Sequence, residues 1–203
     1  MKNHIIAGLT GQSGAGKTMV SNFFSENGFA VINCDEVARN VTKPHSDCNK
    51  ELAELFPSCF DDDLNLDRQS LAKIVFNDKE SLEKLNATIF PYITRDIEAE
   101  IKALADSGER YILLDAPTLF EAGANKLCDV IISCVADRNI RALRIAKRDN
   151  IPAKLIESRF SSQKSQAFFE QNSDYIIENN SEPDDARSRC KDIIEDIKRK
   201  FNG

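Results

Sequence analysis

Eight consecutive residues near the start of the chain have the composition and spacing of a phosphate-binding loop. They are Gly11-Gln12-Ser13-Gly14-Ala15-Gly16-Lys17-Thr18, which match the pattern G-x-x-x-x-G-K-[ST]. Glycines let backbone N–H groups curl around an anion, because they lack side chains and tolerate unusual dihedral angles. A helix beginning here adds its free N–H groups and its dipole. The motif predicts that Lys17 reaches the β- and γ-phosphates and that the Thr18 hydroxyl binds Mg²⁺.

The segments on either side favour a functional loop over a glycine-rich turn that matches by chance. Residues 4–9 form a short apolar run suited to a buried strand, and Val20, Phe23 and Phe24 follow at helical spacing. Gly28 is a typical helix stop. A strand before the motif and a helix after it are the context in which a phosphate loop occurs.

Two aspartates end predicted strands and are candidates for chemistry at the phosphates. Asp35 follows the apolar run 29–33, and Asp115 ends the run 110–115. In open α/β sheets, functional residues collect at the carboxyl ends of strands. A carboxylate in the position of Asp115 can hold Mg²⁺ through water. For Asp35, a plain helix cap is the alternative.

Arginines recur at helical spacing after another predicted strand, 129–135. Arg141, Arg144 and Arg148 are three and four residues apart, which puts them on one face of a helix. A second predicted helix carries Arg159, so the pair forms a basic hairpin in an acidic chain. A solvated charged face is the alternative, but a triphosphate site in the same chain favours an arginine lid over the phosphates.

Composition limits the classes of protein and partner. The chain has 203 residues, is 41% hydrophobic and carries a net charge of −6, which suits one soluble globular domain and argues against bulk nucleic-acid binding. No apolar run approaches the roughly 18 residues of a membrane helix. The first strand begins at once, which leaves no room for a signal peptide. We expect neither a nucleic-acid nor a membrane partner.

The six cysteines and two histidines argue against a metal or disulfide framework. No C-x-x-C pair occurs, so we expect no zinc site, and no disulfides without a secretory signal. Reduced and mostly buried thiols are expected in the cytoplasm. The acidic run 61–63 is interpreted as a solvated loop, since no further ligands follow at a metal-binding spacing.

Five short apolar runs, the last at 174–178, alternate with helical patterns. This alternation predicts an α/β fold with a five-stranded parallel sheet and helices on both faces. Nothing in 45–108 has strand character, so we expect a helical insertion there. Within the insertion, Pro91 is expected to start a long helix that Gly108 closes. A final helix is expected over 183–201.

These elements predict a single domain, 1–203, that is assembled from several segments. A core is expected to contain 1–44, 109–139 and 165–203. The insertion 45–108 would bind the acceptor, and a lid over 140–164 would carry the arginines.

A phosphate loop on such a sheet is found in small-molecule kinases, switch GTPases and ATP-driven machines. A GTPase usually carries N-K-x-D after a strand, whereas Asn125-Lys126-Leu127-Cys128-Asp129 misses that spacing and precedes a strand. The segment Asp115-Ala116-Pro117-Thr118 also lacks the glycine of D-x-x-G. A small kinase with a lid fits better.

Over nearly its whole length the chain resembles the dephospho-coenzyme A kinase family. The phosphate loop alone is generic, whereas Asp35-x-x-Ala38-Arg39 and Pro117-x-Leu119-Phe120-Glu121 are more specific. Further matching segments are Arg144-x-x-x-Arg148-Asp149, Arg159 to Gln163, and Asp174-Tyr175-Ile176-Ile177-Glu178-Asn179-Asn180.

The resemblance implies ATP-dependent phosphorylation of the ribose 3′-hydroxyl of dephospho-CoA, the last step of CoA synthesis. Asp35 matches the carboxylate that accepts the hydroxyl proton, and Arg39 matches a position near the acceptor. Arg144 and Arg148 match the lid, and Asn179 falls in a loop expected beside the adenine. ATP and Mg²⁺ are the implied co-substrate and metal, dephospho-CoA is the implied partner, and we expect a cytoplasmic monomer.

The candidate residues fall into four groups. The ATP-binding set is Gly11, Ser13, Gly14, Ala15, Gly16, Lys17, Thr18, Met19, Arg144 and Asn179. The catalytic set is Asp35, Lys17, Arg144 and Arg148. The acceptor set is Asp35, Arg39, Pro117, Leu119, Phe120 and Glu121. The metal set is Thr18 and Asp115. The alternatives are a kinase for another nucleoside or small alcohol, and a non-catalytic ATP-binding regulatory protein.

Overall fold

The structure is a computed structural model that describes residues 3–180 and 183–201. Residues 1–2, 181–182 and 202–203, which belong to the predicted core, lie outside the described residues. The chain divides into two compact units, Met1–Ile32 with Leu104–Gly203, and Asn33–Ala103. The predicted division into core, acceptor-binding insertion and lid stays a prediction, because those parts are defined by what they bind.

A five-stranded parallel sheet carries the fold, as the sequence predicted. Its strands are β1 (Ile5–Gly11), β2 (Ala30–Asn33), β3 (Tyr111–Asp115), β4 (Val130–Val135) and β5 (Tyr175–Glu178). Their order is β2-β3-β1-β4-β5. Leu9 of β1 pairs with Asp115 on one side and with Ile132 on the other. The phosphate loop therefore leaves the sheet from its central strand.

Both faces of the central strands are covered. Ile112, Leu113 and Leu114 of β3 are successive residues and all fully buried. Since neighbours along a strand point to opposite faces, their burial requires cover on both sides of the sheet. Buried apolar strands of this kind are typical of parallel sheets with helices on each face.

Helices fill the connections between strands. They are α1 (Lys17–Glu26), α2 (Cys34–Val41), α3 (Asp47–Leu55), α4 (Arg68–Asn77), α5 (Lys79–Asp106), α6 (Arg138–Asp149), α7 (Ala153–Ser161), α8 (Gln166–Asn172) and α9 (Pro183–Phe201). Val20 and Phe24 of α1 share one core cluster with Ile193 and Ile197 of α9. The final helix therefore packs by the isoleucine stripe that its sequence predicts.

The second unit, Asn33–Ala103, is helical, and polar side chains define where three of its helices begin. Asn33 Oδ1 accepts the N–H groups of Asp35 and Glu36 at the start of α2. Ser46 caps α3 and Asp67 caps α4 in the same way. Each cap satisfies backbone donors that the first helical turn leaves unpaired.

The long helix α5 differs from the prediction, because it runs through Pro91 instead of starting there. Proline removes one helical hydrogen bond, which leaves the carbonyl of Ala87 without its usual partner. Ala87 and Pro91 are both exposed, so water can hydrate that carbonyl. The buried stripe Ile93, Ile97 and Ile101 supplies the packing that keeps the helix continuous.

All six cysteines are free thiols, and five of them are buried while Cys128 is half-buried. This confirms the expectation of mostly buried, unpaired thiols. Among the described residues, no helix combines the length and apolar character needed to cross a bilayer.

Candidate active site

The phosphate loop curls tightly between β1 and α1, and glycine is required at both of its ends. Gly11 has φ 144° and Gly16 has φ 100°, values that side chains with a Cβ rarely adopt. A Cβ on Gly11 would overlap the carbonyl oxygen of Cys134, and one on Gly16 would overlap the Asn179 side-chain amide. The backbone of the loop is thus pressed against β4 and against the chain after β5.

The first turn of α1 is open to an anion. Gly16 occupies the cap position, and no side chain caps the helix there. The N–H groups that a helix leaves unpaired at its start are the donors that phosphate oxygens accept from. Thr18 is exposed and Met19 is half-buried in this turn.

Two carbonyl groups of the loop accept hydrogen bonds from side chains elsewhere in the chain. The Asn179 side chain donates its Nδ2 to the Ala15 carbonyl at 2.8 Å, and Cys134 Sγ donates to the same oxygen at 3.1 Å. Arg144 lies 3.5 Å from the Gly14 carbonyl. These donors come from three separate parts of the chain and orient the loop's carbonyls towards them.

Lys17 and Asp115 form an ion pair at the carboxyl edge of the sheet. The Lys17 side chain is 18% exposed and that of Asp115 is 13% exposed. Lys17 follows the central strand β1, and Asp115 ends the neighbouring strand β3, so the sheet itself brings them together. The sequence predicted Lys17 from the phosphate-loop motif and Asp115 from its place at the end of a strand, so two separate arguments led to the same edge of the sheet.

The residues expected to hold Mg²⁺ fit that ion. Mg²⁺ keeps several waters and takes one or two protein ligands besides substrate phosphates. Asp115 offers a carboxylate and Thr18 a hydroxyl in the same loop region, while no group of three or more metal-ligating side chains occurs within 3–180 and 183–201. A carboxylate and a hydroxyl are both oxygen donors, which is the ligand chemistry that Mg²⁺ takes alongside substrate phosphates.

The arginine hairpin, α6 and α7, presents its three spaced arginines to different environments. Arg141 is 6% exposed, donates its Nε to the Ala136 carbonyl at 3.0 Å and stacks on the Phe160 ring at 4.4 Å. Burial lowers its pKa. Arg148 is exposed. Arg144, between them, is the one of the three whose guanidinium donates to the phosphate loop within the described residues, whereas Arg141 packs its backbone against Gly14.

Asp149 joins the two helices of the hairpin. It accepts hydrogen bonds of 2.6 Å from Arg148 Nε and from Arg159 Nη1. Hydrogen bonds from these two guanidinium groups hold the pKa of the Asp149 carboxyl well below its usual range. In this structure the charge of Arg148 is therefore already paired.

Gln163 contacts the phosphate loop, a role that the sequence did not predict. Its Oε1 accepts the backbone N–H of Ser13 at 3.2 Å. The two residues are 150 positions apart, and a glutamine after a basic helix carries no signal of such a contact. One of the loop's own anion-binding donors is thus bound to Gln163, two residues beyond the end of α7.

The segment 117–121 contains side chains with different exposures. Leu119 is fully buried, Phe120 is half-buried, and Glu121 is exposed. Thr10 Oγ1 donates to the Pro117 carbonyl at 3.2 Å. The Phe120 ring meets Phe168 of α8 edge-on at 5.1 Å. Leu119 and Phe120 therefore anchor the segment, while the polar side chains of Thr118 and Glu121 are exposed.

Asp35 and Arg39 both lie on α2 in the second unit. Asp35 is in the first turn, Arg39 is in the last, and both are exposed. In the part of the chain that the structure describes, neither side chain forms a hydrogen bond or an ion pair. The N-cap of α2 is Asn33, so the Asp35 carboxylate is not used as the helix cap.

Comparison with known proteins adds independent information. Residues 5–185 match the family described as Dephospho-CoA kinase (CoaE). A dephospho-CoA kinase of Fusobacterium nucleatum is 34% identical over 193 residues, which is 95% of this chain and 98% of that protein. One of Geobacillus kaustophilus is 32% identical over 92% of this chain and 94% of that protein. A solved structure of a Campylobacter jejuni dephospho-CoA kinase superposes with a TM-score of 0.71 at 24% identity, over 98% of both chains.

Proposed function

The chain belongs to the dephospho-CoA kinase family, and from that premise we propose that it transfers the γ-phosphoryl group of ATP to dephospho-CoA. The acceptor atom is the ribose 3′-hydroxyl, and the product is CoA, so the reaction is the last step of CoA synthesis. The observation that supports this most directly is the phosphate loop, whose first helical turn is uncapped and whose Lys17 lies beside Asp115.

Catalysis of phosphoryl transfer depends on positioning and on charge stabilisation. The loop amides and Lys17 hold the β- and γ-phosphates of ATP, and the nucleotide-binding stretch runs from Gly11 to Met19 and includes Ser13. Thr18 and Asp115 would hold Mg²⁺, which would supply positive charge to neutralise the phosphates. Arg144 adds positive charge beside the loop, and Arg148 and the rest of the hairpin exclude water from the reacting group.

On the acceptor side, we assign the proton-accepting role to Asp35. Its carboxylate is exposed and unpaired among the described residues, so it is available to accept the hydroxyl proton. Arg39 and the segment 117–121 bind the acceptor. Glu121 offers a polar contact there, while Pro117, Leu119 and Phe120 shape the surface.

We further propose that the protein acts as a monomer in the cytoplasm. Six free thiols are what a reducing compartment maintains. Light scattering on the purified protein, with and without nucleotide, tests the monomer: a molar mass of two chains at micromolar concentration would contradict it.

The test is an ADP-release assay with Mg·ATP and four parallel conditions: dephospho-CoA, adenosine, uridine and no acceptor. We expect turnover with dephospho-CoA only, and a product phosphorylated at the ribose 3′ position by mass spectrometry and NMR. Turnover with a simple nucleoside alone would agree with the proposed ATP site but would contradict dephospho-CoA as the acceptor. ATP binding without turnover on any acceptor would instead indicate a regulatory nucleotide-binding protein.

A further inference from the structure

The carbonyl of Ala15 in the phosphate loop accepts hydrogen bonds from two side chains that lie far from it in the sequence. It accepts the Asn179 amide at 2.8 Å and the Cys134 thiol at 3.1 Å. The thiol stays protonated at neutral pH, because burial raises the pKa of Cys134 to about 12. Two donors on one oxygen fix the direction of that carbonyl.

This direction determines where the next N–H group points. The Ala15 carbonyl and the Gly16 N–H belong to one planar trans peptide unit, in which the two groups point in opposite directions. Within the described residues, the Gly16 N–H donates to no other group. Holding the carbonyl towards Asn179 and Cys134 therefore aims this N–H away from them, to the side of the loop where a phosphate binds.

Asn179 holds Arg144 at the same time. Arg144 donates to the Asn179 backbone carbonyl at 3.0 Å and to its Oδ1 at 3.3 Å. Only one orientation of the amide satisfies these contacts, since a guanidinium cannot accept a hydrogen bond and a carbonyl cannot donate one. Asn179 is 6% exposed, so both ends of its amide are in use within the protein.

We propose that Asn179 is a positioning residue that presets the phosphate loop and Arg144 for the triphosphate, independently of the nucleobase. Its amide carbonyl and one of its N–H groups are already engaged, which leaves little capacity for recognising adenine. The inference rests on the nucleotide-binding half of the proposed function, and it makes no use of the acceptor.

The experiment measures binding without acceptor by isothermal titration calorimetry, with ATP, GTP and inorganic tripolyphosphate as probes. The variant is N179A, and the matched control is N172A, an exposed asparagine whose amide, among the described residues, bonds to Phe168 of its own helix and to nothing else. We expect N179A to weaken all three probes by the same factor, roughly 5- to 100-fold, as for a buried carbonyl that loses a partner. N172A should bind like the wild type.

Steady-state kinetics provide a second readout. Because Asn179 also orients Arg144, N179A should lower kcat as well as raise the KM for ATP, while the KM for dephospho-CoA stays within about twofold. The ATP-to-GTP selectivity ratio should stay at its wild-type value. A loss of general stability would lower the active fraction and leave both KM values unchanged.

Three outcomes are decisive. Unchanged tripolyphosphate binding in N179A, or a loss confined to ATP, would overturn the proposal in favour of a contact with the base. A wild-type protein that binds none of the three probes would overturn both this proposal and the proposed function. A wild-type protein that binds the probes but does not phosphorylate dephospho-CoA would contradict only the proposed acceptor and would leave the proposal about Asn179 standing.

The second donor provides a test that does not depend on N179A folding. C134A removes the thiol from the Ala15 carbonyl, whereas C134S retains a donor of similar size. We expect C134S to bind tripolyphosphate more tightly than C134A. Equal binding by the two variants would show that donors to this carbonyl do not control the loop.

Discussion

The ammonium group of Lys17 is paired with the carboxylate of Asp115 across neighbouring strands of the sheet. In the proposed reaction the same two groups have other partners, since Lys17 binds phosphate and Asp115 binds Mg²⁺. Nucleotide binding must therefore exchange one set of charge pairs for another. The pair keeps two largely buried charges compensated until the nucleotide arrives.

Asp115→Asn should separate the two functions of this pair. The folded protein should lose roughly 1–3 kcal/mol of unfolding free energy, because Lys17 is left without its carboxylate. Tripolyphosphate should restore that loss, so its addition should raise the Tm of the variant more than that of the wild type. The gain in ATP affinity on adding Mg²⁺ should shrink. Equal Tm shifts in both proteins would show that Lys17 is not released by anion binding.

Asp35→Asn should lower kcat by roughly 10²- to 10⁴-fold, because the acceptor hydroxyl loses its general base. ATP binding should remain within about twofold of the wild type. Glu36→Gln is the matched control, an exposed acid in the same helical turn, and it should keep its turnover. Steady-state kinetics measure kcat, and calorimetry measures ATP binding. Full turnover in the Asp35 variant would exclude this residue as the base.

Arg144→Ala and Arg148→Ala should differ, although the sequence predicts one role for both. Arg144 donates to the carbonyls of Gly14 and Asn179 at the phosphate loop, so its loss should lower kcat/KM for ATP by roughly 10²- to 10³-fold, as for other preorganised charge-stabilising groups. Arg148 is paired with Asp149, so Arg148→Ala should lower kcat/KM for ATP by less than Arg144→Ala does. Arg187, exposed on α9, provides an inert Arg→Ala control. Similar losses in the first two variants would contradict the difference in their environments.

Gln163→Glu should weaken nucleotide binding more than Gln163→Ala. Both remove the neutral amide that accepts the Ser13 N–H, but glutamate replaces it with a carboxylate that binds the same donor more strongly and repels phosphate. We expect a rise of roughly tenfold in the KM for ATP with glutamate. Gln166→Glu, at an exposed position in α8, is the charge control, and an equal rise there would attribute the effect to net charge alone.

Alkaline pH should destabilise the protein partly through Cys134. Burial raises its pKa from 9.0 to about 12, so between these values the unfolded chain loses a proton that the folded chain retains. The contribution is complete below pH 9 and is lost as pH rises towards 12. Urea unfolding at pH 8 to 11 in reductant should show a smaller decline for C134S than for the wild type. Parallel declines would assign the alkaline loss to other groups, such as Cys190, whose pKa burial also raises, to about 11.

The sheet and the phosphate loop could be predicted because their signals are local. Each strand is a short apolar run, and the loop is a continuous motif whose glycine positions follow from backbone geometry. The helix α8 was not predicted, since it is short and polar, and its start depends on Ser165 accepting the Phe168 N–H. The prediction that a helix starts at Pro91 was wrong for the opposite reason, because tertiary packing outweighed the strong local preference of proline for a helix start.

The sequence could predict which residues belong to the site, but it could not predict which of them bind to one another. Lys17 and Asp115 are 98 positions apart, and Asn179 is 164 positions from Ala15. Residue types and strand ends indicate that such groups converge on one edge of the sheet. Which side chain binds which carbonyl depends on packing distances that a sequence motif does not contain, as with Gln163 and Ser13.

The hydrogen bond from Asn179 to the Ala15 carbonyl has a consequence for the order in which the protein is made and folded. The loop is synthesised before the residue that orients it, which lies 164 positions later, after the edge strand β5. Contacts of such large sequence separation form late in folding. A growing chain therefore carries the complete phosphate motif long before it can hold a nucleotide, and acquisition of ATP binding would report that the C-terminal strand has docked.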